Sequence, residues 1–237
     1  MNDSRKNLIE NNLDSLREAI DVAAIAAGRD PVSIKLVAVT KSHPLSDIEI
    51  ALSHGQQTLG ENRVQELTEK IEATKEHGLA CEWHMIGTLQ TNKVRFIVGE
   101  VALIHSVDRI RLLRAIEKYA SQQGIVQDVL LQVNVSGESS KHGFGPENLG
   151  HVLEHQQDFP HIRIMGLMTM APHFEDPEQT RPVFARLRQL RDELAVKYNS
   201  PQLTELSMGM TNDYIQAVGE GATLVRGGSA IFGQQYC

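Results

Sequence analysis

Ile34-Lys35-Leu36-Val37-Ala38-Val39-Thr40 runs directly into Lys41-Ser42-His43-Pro44. The run is short and β-branched, and its apolar residues are nearly continuous rather than alternating with polar ones. That pattern predicts a strand covered on both faces, as in a parallel sheet. A helical segment follows over 46–53, with Gly55 behind it. The same strand-then-helix order repeats along the chain. Further strands are expected over 58–60, 83–87, 101–106, 128–135, 162–168, 203–208 and 223–226. Helical segments are expected between them over 61–74, 91–98, from an Asp108 cap to Ala120, and over 146–156. Two more are expected, from about residue 176 or 180 to Tyr198 and over 212–218, with a closing segment at Ile231-Phe232. Pro182 predicts an irregular first turn for the helix that ends near Tyr198.

Ahead of the first strand, Ile9, Leu13, Leu16, Ile20, Ala24 and Ala27 recur at steps of three and four, the mark of an amphipathic helix. Gly28 and Pro31 end it, as a left-handed cap and a helix breaker would. Eight βα units with no break in composition predict one α/β domain over 1–237, a (β/α)8 TIM barrel with an extra N-terminal helix. An open doubly wound sheet is the alternative, though it usually has fewer strands.

The 237 residues are 41% hydrophobic and 22% charged, ordinary for a globular protein. With 23 Lys plus Arg against 30 Asp plus Glu, the formal net charge is −7. That balance argues against a general nucleic-acid binder but leaves room for a local basic pocket. Two cysteines, Cys81 and Cys237, fit a reducing cytoplasm and no disulfide framework. No stretch reaches the roughly 18 apolar residues of a membrane span. His142, His151, His155 and His161 show no metal spacing beside matching carboxylates, so no metal is assigned.

In a barrel the active site lies at the C-terminal ends of the strands. Lys41 sits at one such end. A lysine there is expected to be partly desolvated, which favours the neutral, nucleophilic amine that forms Schiff bases with carbonyls. A lysine leaving the sheet for solvent would look the same. Glycine-rich turns follow strands seven and eight, Ser207-Met208-Gly209-Met210-Thr211 and Gly227-Gly228-Ser229. Such turns let backbone N–H groups approach an anion, and barrels often build phosphate sites from these two loops. A lysine beside a phosphate site points to a phosphorylated carbonyl ligand, with pyridoxal phosphate the foremost candidate. Arg226 could bind the phosphate, face a ring nitrogen and keep it unprotonated, or pair with a nearby carboxylate. Asn62 is a candidate that could instead cap a helix, and His84 is a candidate that could instead be a packed core histidine.

The chain resembles the pyridoxal phosphate homeostasis proteins, the YggS/PROSC-like single-domain relatives of the alanine racemase N-terminal barrel. The resemblance covers nearly the whole chain. It rests on Ala38-Val39-Thr40-Lys41, Gly60-Glu61-Asn62 with Val64-Gln65-Glu66, and Trp83-His84-Met85-Ile86-Gly87 through to Asn92-Lys93. It continues through Asn134-Val135-Ser136 with Lys141 and Gly143, Gly166-Leu167-Met168, Leu206-Ser207-Met208-Gly209-Met210, and Ile231-Phe232-Gly233. It implies pyridoxal 5′-phosphate held as an internal aldimine on Lys41. It implies phosphate contacts from Ser207, Gly228 and Ser229, with Met210 and Asn62 near the ring and Arg226 at the pyridine nitrogen. His84 joins this candidate set. Gly227 stands where the family usually has a branched aliphatic residue, which is expected to loosen the end of strand eight. Arg63 stands where several relatives have an aromatic.

Alanine racemase takes its second acid/base, a tyrosine, from a separate C-terminal domain. The chain's end at Cys237 is read as lacking that domain. Tyr119 and Tyr198 fall on outer helices, and neither Tyr214 nor Tyr236 has an obvious reason to face the ring. The expectation is a cytoplasmic, monomeric carrier in vitamin B6 homeostasis that serves PLP-dependent apo-enzymes without efficient catalysis. The alternatives are a PLP-dependent amino-acid racemase or related enzyme, and a Schiff-base aldolase using Lys41 without cofactor.

Overall fold

Eight parallel strands pair in sequence order, and the last returns to the first, so the sheet closes into a barrel. They are β1 (Lys35–Val39), β2 (Thr58–Glu61), β3 (Glu82–Met85), β4 (Leu103–Val107), β5 (Gln127–Gln132), β6 (Ile162–Met168), β7 (Glu205–Ser207) and β8 (Leu224–Gly227). The helices are α1 (Asp3–Ala26), α2 (Leu45–Ser53), α3 (Val64–Glu76), α4 (Ile110–Gln123), α5 (Leu149–Glu154), α6 (Arg181–Lys197), α7 (Tyr214–Gly219) and α8 (Ser229–Phe232). This computed structural model describes residues 3–138 and 142–233. Lys141, Tyr236 and Cys237, named above, lie outside the described residues.

Several boundaries differ from expectation for local reasons. α3 begins at Val64, three residues late, because Glu61 is taken up as the last residue of β2. Asp108 does not cap α4. Arg109 holds the cap position without a side-chain hydrogen bond, and the Asp108 carboxylate accepts from its guanidinium instead. The segment after β3 is a 3-10 turn over Thr91–Phe96, and α5 is flanked by 3-10 turns rather than filling 146–156.

Side chains alternate across each strand, so one set fills the barrel and the other meets the helices. Val37, Leu103, Leu130, Met168 and Leu224 form a separate apolar cluster inside. Ala38, Leu59, Met85, Ile104, Leu167 and Val225 belong to the larger cluster beneath the helices. Toward the C-terminal ends the interior turns polar: His84, His105, Ser207 and Arg226 are all buried. An apolar plug therefore supports a polar floor.

α1 packs against α2, α7 and α8. Ile9, Leu13, Leu16, Ile20 and Ala24 are buried on its inner face. Ala27 is exposed, because the helix ends at Ala26 and Gly28 turns away at a φ of 68°. Arg5 ties α1 to the Asp47 carboxylate (Nε–Oδ1 3.1 Å) and to the Phe232 carbonyl (2.8 Å). α1 also accounts for Gly227. A Cβ added there would sit 3.0 Å from Leu16 Cδ2. The space of the usual branched residue is thus taken by α1, and strand eight stays paired at that point, Gly227 opposite Ala38.

Candidate functional site

The C-terminal strand ends surround a cavity of about 530 Å3. Of the expected residues, Lys41, Asn62, Met210, Arg226, Gly228 and Ser229 line it. Lys41 continues the inward alternation of Val37 and Val39. Its side chain is exposed, so the expected desolvation is not built into the wall. Among the described residues no hydrogen bond or ion pair holds its ammonium.

His84 and Ser207 do not line the cavity but lie under its floor, joined to it through Arg226. Arg226 donates to Ser207 Oγ and, through Nη2, to the Thr169 carbonyl at 3.1 Å. His105 Nδ1 lies 2.8 Å from the same Ser207 Oγ, and His105 Nε2 lies 2.9 Å from His84 Nδ1. The protons follow from the donor inventory. A guanidinium can only donate, so the Ser207 hydroxyl proton goes to His105 Nδ1, and His105 Nε2–H donates to His84 Nδ1. Burial pushes His84 down to about 4 and His105 well below its ordinary value, so both rings are neutral near pH 7.

Arg226 is only 5% exposed, and its partners are a hydroxyl and a carbonyl. A direct pair with a carboxylate, one of the three readings of this residue, is therefore not what the fold builds. Burial pushes its pKa down to about 10, opposed by the charge of Asp213.

The two glycine turns meet at the rim beside β1, where Ser229 Oγ donates to Thr211 Oγ1 at 3.3 Å. Gly209, at a φ of 87°, lets the strand-seven turn close; a Cβ there would be 2.5 Å from Ala217 Cβ. A Cβ on Gly87 would lie 2.1 Å from the Asn62 carbonyl oxygen, so only glycine lets the β3 end back onto the turn that carries Asn62.

The wall also holds residues outside the expected set: Thr211, Asp213, and Met170 to Phe174 with His173. Asp213 accepts from the Met210 amide at 2.6 Å, and burial pushes its carboxyl upward. An aspartate three residues past Met210, just before a helix, is a capping signal that could have flagged it. The segment after β6 carries no such local mark. Away from the cavity, His151, Glu154 and His155 bring ligating atoms within 4.8 Å of one another. No helix among the described residues is long and apolar enough to cross a membrane.

Two cations free of direct carboxylate partners therefore face one cavity in a chain of net charge −7. Glycine turns and hydroxyls line the same cavity. The set suits an anionic ligand that also carries a carbonyl.

The family model for the alanine racemase N-terminal domain matches residues 11–235. The pyridoxal phosphate homeostasis protein of Aquifex aeolicus is 47% identical over 223 residues, covering 94% of this chain and 96% of that protein. A Bifidobacterium adolescentis protein of unknown function superimposes with a TM-score of 0.90 at 35% identity, over 98% of this chain and 97% of its own. PipY of Synechococcus elongatus, solved with PLP bound, superimposes with a TM-score of 0.82 at 35% identity, over 95% and 100%. By sequence over nearly its whole length, and by a barrel shared with solved relatives, this chain belongs to the pyridoxal phosphate homeostasis protein family.

Proposed function

We propose that the chain binds pyridoxal 5′-phosphate in this cavity, as a Schiff base on Lys41, and acts in PLP homeostasis without efficient catalysis of its own. One observation carries the reading: a free lysine and a buried arginine without a carboxylate partner face the same cavity. The PLP-bound relative and the homeostasis relatives support it. When bound, the cofactor supplies an aldehyde carbon to which the Lys41 nitrogen bonds, with loss of water. Gly228 and Ser229, joined by Thr211, hold the phosphate. Asn62 and Met210 flank the ring, and Arg226 faces its nitrogen. Ser207 and His84 act through Arg226 rather than by contact. The proposal treats residues 1–237 as one domain, a cytoplasmic monomer that supplies PLP-dependent apo-enzymes.

Borohydride reduction of the PLP-treated protein followed by peptide mapping tests the site. A phosphopyridoxyl adduct is expected on Lys41 and is expected to vanish in Lys41→Ala. Adducts confined to other lysines would refute the assignment.

A second reading, a racemase or related PLP enzyme, is favoured by Asp213. Its carboxyl is buried in the cavity wall and pushed upward, as an acid/base group requires. Sustained α-proton exchange on amino acids in deuterated water, lost in Lys41→Ala, would establish it over the carrier.

A further inference from the structure

The backbone that carries Lys41 is gripped from outside the barrel. Thr40 faces outward, in step with Ala38. Its Oγ1 donates to Glu61 Oε1 at 2.7 Å, and its carbonyl accepts from Lys70 Nζ at 2.6 Å. Lys70 Nζ also donates to Glu61 Oε1 at 2.5 Å. Glu61 is fully buried and the Lys70 side chain only 13% exposed, so this ion pair stands mostly out of water.

On the other side of Lys41, the Ser42 amide donates to Glu66 Oε2 at 2.9 Å. Ser42 adopts a φ of 61°, a left-handed conformation that a non-glycine residue takes only when its surroundings enforce it. That hydrogen bond is the main reason the Glu66 carboxyl lies below its ordinary range. Glu66 lies 3.7 Å from Lys70 Nζ, which joins the two grips, and it also pairs with Arg63 Nη1 at 3.3 Å. Glu61 Oε2 further accepts from the Asn62 amide at 3.1 Å. One trio on β2 and α3 thus holds the main chain on both sides of Lys41, and that of Asn62, while leaving the Lys41 amine free.

We propose that Glu61, Glu66 and Lys70 are positioning residues for Lys41, a clamp that fixes residues 40–42 so that the amine projects into the cavity. The inference rests on the reading that Lys41 carries the cofactor. A lysine stem brings about 2 kcal/mol of rotamer entropy to any encounter. A loose backbone would add to that search, whereas a fixed one confines it to the side chain and favours attack on the aldehyde.

The test compares Glu66→Ala with Glu66→Gln, whose amide oxygen can still accept from Ser42. Two readouts are taken: hydrogen exchange of the peptide over 38–45, and the rate of PLP capture, with Lys41→Ala as the blank. Glu66→Ala should speed exchange and slow capture, each on the order of tenfold for one charge-assisted hydrogen bond. Glu66→Gln, which keeps the acceptor but not its charge, should fall between wild type and Glu66→Ala in both. The double variant Glu61→Gln/Lys70→Met, which removes both buried charges together, should slow capture at least as much while keeping its circular dichroism. Wild-type exchange in Glu66→Ala, or equal slowing of capture in the Ala and Gln variants, would overturn the clamp. A wild-type chain that captures no PLP on Lys41 would refute the cofactor reading instead, and the exchange readout would still decide the clamp.

Discussion

The buried histidines should make the barrel sensitive to acid, by an amount that follows from their burial. His84 titrates at about 4 in the folded chain against 6.5 when unfolded. Between those values the unfolded chain binds a proton that the folded chain refuses, so stability falls as pH drops from 6.5 toward 4. The penalty on the folded state is about 0.2 kcal/mol at pH 7 and about 2 kcal/mol at pH 5 from His84 alone. His105 adds a loss of the same sign, because burial above all, and then the positive charge of Arg226, push it down. Urea unfolding of the cofactor-free protein at the two pH values measures this. His84→Asn keeps an oxygen able to accept from His105 Nε2 and removes the titrating ring. The variant should lose about 2 kcal/mol less than wild type between pH 7 and pH 5. Surface histidines contribute equally to both proteins and cancel. Equal losses in the two would refute the assignment of a neutral, buried His84.

Two other substitutions probe the floor and the wall. Arg226→Ala should destabilise the fold by about 2–4 kcal/mol, because the Ser207 hydroxyl and Thr169 carbonyl lose their donor and a cavity remains. It should also weaken PLP retention in equilibrium dialysis; a variant as stable as wild type would show that the guanidinium is not part of the packed core. Gly87→Ala forces a Cβ against the Asn62 carbonyl oxygen, so it should lower the melting temperature and loosen PLP together. Melting unchanged to within a degree would contradict that close approach.

The barrel was readable because each strand is an apolar run bounded by a helix or turn signal, as at Ile34 to Lys41. Those cues are local, and so is the alternation that puts Lys41 on the inner face. The polar floor is different in kind. His105 and Ser207 are 102 residues apart, and only closure of the barrel brings them together. No spacing rule separates a histidine in such a chain from one packed in a core, so the sequence leaves both readings of His84 open, and only the closed barrel places it beneath the cavity. The role of Lys70 is illegible in the sequence for a related reason. On α3 it reads as an ordinary surface lysine until Thr40, one residue past β1, and Glu61, the last residue of β2, are brought to its ammonium. Asp108 shows the reverse error, a residue with the right type and place for a cap whose neighbour offered a stronger, charged partner.

The choice of partners around Arg226 bears on what the site can do. A carboxylate beside it would stabilise the buried charge more than a serine hydroxyl does, yet the fold supplies Ser207 and two neutral histidines. A neutral chain orients the guanidinium without pairing its charge, and Asp213 offsets that charge only through space, so part of the attraction remains available to a ligand. If Arg226 faces the ring nitrogen, as proposed, it meets that nitrogen as an obligate donor: even pushed down to about 10, it keeps its proton at neutral pH. The ring then stays unprotonated, a weaker electron sink than a pyridinium. Such a floor favours holding the cofactor over drawing electrons through it. On the proposed carrier reading this is the floor's contribution, and any racemase activity would have to draw its acid/base from Asp213 and the wall.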